Sequence, residues 1–94
     1  MATDVTSNPW SVTSTTTGVL TTRSVILKKI LWDSPTTDGH TVNITDKTGA
    51  VIYNNDCIAG GTGLQYGEDY GDGIVCNGIT VVTHQSGTIY LYIQ

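Results

Sequence analysis

Apolar residues in this chain fall into short runs, and one run dominates: Val25-Ile26-Leu27-Lys28-Lys29-Ile30-Leu31-Trp32, six of whose eight residues are Val, Ile, Leu or Trp. β-Branched and aromatic side chains suit a pleated, half-buried surface, so the run reads as the central strand, stopped at Asp33-Ser34-Pro35 where proline removes a ladder donor. Alternation sends Val25, Leu27 and Leu31 to one side and Ile26, Ile30 and Trp32 to the other. Both faces are therefore apolar. Either a bulge at Lys28-Lys29 flips the parity and gathers Val25, Leu27, Ile30 and Trp32 on one core face, or something else covers the second face.

The remaining pattern is also of strands. His40 to Asp46 alternates with Val42 and Ile44 inward, Asp46-Lys47-Thr48-Gly49 is a turn, and Ala50 to Tyr53 returns as the hairpin partner. Pro35 to Gly39 is a cluster of turn formers, with Asp38-Gly39 reversing the chain. Residues 54 to 73, rich in glycine, are expected to be a surface excursion, with Leu64-Gln65-Tyr66 as a short strand at most. Asn77-Gly78 marks a turn or bulge between Ile74-Val75-Cys76 and Ile79 to Thr83. A last hairpin is expected at Gln85-Ser86-Gly87, before Thr88 to Gln94 with Ile89, Leu91 and Ile93 inward and Tyr90 and Tyr92 outward. No window shows helical spacing. About seven short strands predict an all-β fold, a small antiparallel β-sandwich, with a small β-barrel as the alternative.

Composition divides the chain in two. Residues 1–22 hold eight Thr and three Ser around Trp10, forming a Thr/Ser-rich N-terminal arm or an edge strand from Trp10 to Thr16, while residues 23–94 form the sandwich domain. After Val5 the arm's only sizeable aliphatics are Val12, Val19 and Leu20, and Trp10 and Val12 are its candidate contacts with a neighbour. Ninety-four residues make one domain.

Charge narrows the partners. Four basic residues against eight acidic ones give a net charge of −4, too little positive charge to track a phosphate backbone, so nucleic acid is not an expected partner. No apolar run is long enough for a membrane helix, and the start Met1-Ala2-Thr3-Asp4 lacks the basic and apolar parts of a signal peptide. The expectation is a protein folded in a reducing cytoplasm, in which Cys57 and Cys76 are read as buried thiols in preference to a disulfide.

Candidate chemistry is sparse. Cys57, Cys76, His40 and His84 do not have the spacing of a zinc site, and no serine or threonine lies in a nucleophile elbow, so neither catalysis nor a cofactor is expected. Glu68, Asp69 and Asp72 do not match a calcium loop and read as a solvated acidic segment. Tyr66, Tyr70, Tyr90 and Tyr92 with Trp10 are candidates for a sugar-binding platform, set against the reading of outward tyrosines as a protein interface.

The order of motifs, from an apolar strand ending in Trp32 through Pro35 to Gly39, Asp46 to Gly49, Asn77-Gly78-Ile79 and Ser86-Gly87-Thr88-Ile89-Tyr90-Leu91-Tyr92, resembles small structural proteins of tailed-bacteriophage virions, of the capsid decoration or cement type. The likeness spans roughly residues 24 to 94. It implies a non-enzymatic role, assembly in the host bacterial cytoplasm and residence on the virion, the capsid surface being favoured. The implied partners are the major capsid protein or another virion protein, and further copies of the chain, a trimer being favoured. The alternatives are a carbohydrate-binding or host-attachment module, or a neck or tail component. Trp10, Val12, Ile26, Ile30, Trp32, Tyr90 and Tyr92 are the candidate partner-binding residues.

Overall fold

The computed structural model describes residues 3–4, 9–13, 16–36, 39–57 and 65–94. These contain seven strands: β1 (Thr3–Asp4), β2 (Trp10–Val12), β3 (Gly18–Asp33), β4 (Thr41–Thr45), β5 (Val51–Asp56), β6 (Gln65–His84) and β7 (Thr88–Ile93). Every pairing is antiparallel, in the order β1-β2-β7-β3-β6-β4-β5. The chain is all-β, a small antiparallel sandwich whose two layers belong to one continuous ladder.

The continuity comes from β3 and β6, of 16 and 20 residues, which are not short. Residues Gly18 to Leu27 of β3 pair with Val81 to Ile74 of β6 and continue into the layer of β4 and β5. Lys29 to Asp33 pair with Asp69 to Gln65 on one side and with β7 on the other, in the layer completed by β2 and β1. The corner lies between Leu27 and Lys29, where the register shifts against β6 and β7 alike. Strands that pass from one layer to the other in this way turn at bulges.

That bulge resolves the parity of the central strand. Leu27, Ile30 and Trp32 are wholly buried in one core with Val12, Val42, Ile44, Ile79, Val81, Ile89 and Leu91, and Val25 packs at its margin. Ile26 is left on the outside. Trp32 also satisfies its polar atom, donating from Nε1 to the Ser86 carbonyl at 2.7 Å. The turn comes this close because residue 87 is glycine: at φ +76° a Cβ there would lie 2.6 Å from the Asp33 carbonyl oxygen and 2.8 Å from the Trp32 indole nitrogen. The Ser86 hydroxyl, itself buried, accepts from the Thr36 amide at 3.0 Å and lies 2.7 Å from His40 Nδ1. The segment after β3 is thereby tied to the β6–β7 turn.

Several expectations are corrected. The 85–87 turn exists, but β7 does not pair with β6; it crosses to the other layer and lies between β2 and β3. The glycine-rich stretch is strand from Gln65 onward, and Glu68, Asp69 and Asp72 stand on β6. Leu64 and Asp38 fall outside the described residues. The division after residue 22 falls inside β3, which begins at Gly18. Upstream of it, β2 is an integral strand pairing with β7, and Val12 is wholly buried. The β4–β5 turn is as expected: Asp46 Oδ1 accepts from the amides of Thr48 and Ala50 at 2.8 and 3.0 Å and from the Thr48 hydroxyl at 2.7 Å. The Thr48 hydroxyl is the largest of the contacts that hold the Asp46 carboxyl below its ordinary pKa.

Candidate interaction surfaces

With the core assigned, the outer surfaces follow from register. On the β7 layer, directly paired residues share a face, which sets Tyr90 beside Leu31 and Ser11, and Tyr92 beside Lys29. Tyr90 and Tyr92 therefore lie on the outer face, where the Lys29 ammonium stands 5.7 Å from the Tyr92 ring centroid. The row continues through Leu31 to Gly67 and through Lys29 to Asp69. Gly67 leaves a shallow depression of about 320 Å³ between these side chains. A Cβ at Gly67 would collide with the Ile30 carbonyl oxygen, so only glycine lets β6 pass this close to β3.

The five aromatics proposed as a platform do not assemble into one. Trp10 pairs with the buried Leu91 and so points to the opposite face from Tyr90 and Tyr92, packing against the core margin. Tyr66 pairs with Trp32 on the core side, ring centroids 5.7 Å apart and inclined at 45°. Tyr70 reaches across to β5, its hydroxyl donating to the Ile52 carbonyl at 3.1 Å. Burial first, and then the neighbouring Glu68, Cys76 and Tyr53, push the Tyr70 phenol up to about 12. Burial also raises the Tyr53 phenol and the Cys76 thiol, and Cys57 is likewise buried in the core.

On the other layer, the row Val51, Thr45, Thr80 and Val19 crosses β5, β4, β6 and β3 by direct pairing. Val51 and Val19 are 63% and 64% exposed. Val82 is the extra residue where the β4–β6 register shifts and is 51% exposed, so three valines and two threonines cover this face without a charged residue among them. Further along β6, Val75 is 72% exposed and lines, with Ser24, Val25, Ile26, Ile93 and Gln94, a separate apolar groove of about 420 Å³ where β7 ends against β3. The Gln94 amide closes that ladder on the Ile26 carbonyl at 2.9 Å.

Of the seven residues expected to meet a partner, Val12, Ile30 and Trp32 are removed by burial, since each is wholly enclosed by the chain's own core. Trp10 keeps part of its surface at the core margin; Tyr90 and Tyr92 lie together on one face, and Ile26 on the groove. The valine face was missed. Its residues sit in four strands distant in sequence, and only the ladder brings them into a row; the signal available beforehand was that Val19, Val51 and Val82 each fall outside the inward alternation of their strands. A scan against protein-family models finds no match to this chain, and neither do searches of the curated proteins and of the solved structures.

Proposed function

We propose that this protein is a non-enzymatic assembly module that works by protein–protein contact through the outer faces of its sheet. The observation that carries the reading is the exposure of Val19, Val51 and Val82, each more than half open to solvent, on one face of a chain whose charged residues amount to only 13%. A solvated sheet face ordinarily alternates to polar residues, and a contiguous apolar face rimmed by polar ones marks a contact site. The β-branched valine face matches the flat surface of another protein better than it matches a sugar, which wants aromatic stacking and convergent polar groups. Dispersal of Trp10, Tyr66 and Tyr70 away from Tyr90 and Tyr92 further weakens the carbohydrate reading.

Within that class, the resemblance to small tailed-phage structural proteins makes the assembly a virion and the module a decoration or cement protein on the capsid exterior, stabilising the particle by bridging its subunits. Mass spectrometry of purified virions of the phage that encodes the chain tests this. The protein is expected in the particle in a fixed ratio to the major capsid protein. Its presence in infected-cell lysate but not in purified particles overturns the assignment.

A further inference from the structure

The turn at residues 85–87, between β6 and β7, is held by two histidines whose demands differ. Ser86 Oγ accepts from the Thr36 amide at 3.0 Å, which leaves its own proton for His40 Nδ1, 2.7 Å away, and a neutral imidazole satisfies that contact. His84 is placed otherwise. It is buried at the end of β6, opposite the wholly enclosed Val42 of β4, and both of its ring nitrogens meet carbonyl oxygens. Nε2 lies 2.8 Å from the Gly87 carbonyl in the turn, and Nδ1 lies 3.1 Å from the Thr16 carbonyl in the segment between β2 and β3.

A carbonyl oxygen only accepts. A neutral imidazole carries one N–H, so it bonds one of these oxygens and turns a lone pair on the other, whereas the imidazolium donates to both. Burial opposes the charge, and two charge-assisted hydrogen bonds offset that cost. No carboxylate on the elements around the ring is turned to it. Thr16 and Thr17 are uncharged, as is Val42. Asp56, beyond β4, accepts from the Thr41 hydroxyl at 2.7 Å, and Asp33, whose carbonyl adjoins Gly87, has its carboxylate 3.4 Å from the Gln65 amide. His40 is the remaining titratable group against the turn, and its Nδ1 is engaged with Ser86.

We propose that His84 is a proton-dependent tie: with both ring nitrogens protonated it fastens the segment leading out of β2 to the β6–β7 turn, and with one it holds the turn alone. The two ends belong to different layers. β2 borders β7 in one, while His84 ends β6 beside β4 in the other, so the tie joins the layers by a link outside the ladder. Deprotonation releases the longer contact, to Thr16, and leaves β2 docked by its pairing with β7 and by Val12. Imidazole is the side chain whose charge changes between about pH 5 and about pH 8. A fold that binds a proton more readily than the unfolded chain gains stability as the pH falls, so the contribution of the tie is present at the acid end of this range and lost toward the alkaline end. The inference does not depend on reading the chain as an assembly module.

Nuclear magnetic resonance of the histidine rings in the full chain tests it. At about pH 5, His84 is expected to show two ring N–H protons shielded from solvent exchange, and at about pH 8 only one. The chain has two histidines, so His84→Gln and His40→Gln each assign the signals by elimination. Thermal unfolding gives a second reading. Between about pH 5 and about pH 8 the wild type is expected to lose about 4 °C or more beyond any loss in His84→Gln, the shift that one hydrogen bond gives a domain of this size. The difference is expected to persist at high salt, because the partners of the ring are neutral carbonyls. A His84 ring that carries the same number of shielded protons throughout, or wild-type and His84→Gln melting temperatures that move in parallel with pH, overturns the tie. If His84→Gln does not fold, the ring protons of the wild type, assigned through His40→Gln, decide the question.

Discussion

Lys28 and Lys29 set the fate of the residues around them. By placing a bulge between Leu27 and Lys29, the chain turns Ile30 and Trp32 inward with Leu27 and leaves Ile26 outside. Two consecutive lysines in an apolar strand already indicate a break in parity; which of the two resolutions holds depends on what lies opposite. That information is in residues 70–73, four residues of β6 set against the single Lys28, and no local pattern announces it. Ile30→Ala is therefore expected to cost about 2–5 kcal/mol in denaturant unfolding, the usual range for truncating an enclosed aliphatic. A loss under about 1 kcal/mol would return Ile30 to the surface. Tyr70 offers a pH test. Its phenol is raised from 10.0 to about 12, so its contribution is fully present below pH 10 and is lost as the pH rises through 12. Tyr70→Phe is expected to lower the melting temperature slightly at neutral pH and to flatten the alkaline loss; an unchanged alkaline slope contradicts the assignment.

Elements were legible where their signals are local. The β4–β5 hairpin was, because Asp46 and Gly49 define its turn by chemistry contained within five residues. The inward set of β7 was as well, since Ile89 and Leu91 follow strict alternation. The partner of β7 was not legible: a tight turn at 85–87 looks the same whether the chain returns beside β6 or crosses to the opposite layer. The length of β6 was hidden for a related reason. Gly67, Gly71 and Gly73 read as loop, yet they lie within a strand that bends at the corner and passes close to β3. The N-terminal segment was misjudged in weight. Polar at most positions, it nonetheless inserts Val12 opposite Ile89, and the Val12 side chain is wholly buried. Val12→Ala is expected to destabilise the fold by roughly 2 kcal/mol in thermal or denaturant unfolding. Indifference to the substitution would restore the picture of a dispensable arm.

At the scale of the molecule, the same ladder that builds the core also builds the outer faces, one of which is the proposed contact surface. One continuous sheet folded at a single corner leaves two outer faces of different chemistry, tyrosines with Lys29 and Asp69 on one and valines with threonines on the other. The tyrosine face was foreseen from β7 alone, whereas the valine face exists only once β3, β4, β5 and β6 are in register. Because few charges compete on the second face, a single lysine there should disrupt docking while leaving the core untouched. Co-sedimentation of purified protein with virions that lack it is the most direct measurement, comparing the wild type with Val82→Lys. The wild type is expected to pellet with the particles to a saturating ratio, and Val82→Lys to bind about tenfold more weakly while melting within a few degrees of the wild type. Equal pelleting of the two, or no pelleting of the wild type at any concentration, would contradict the account.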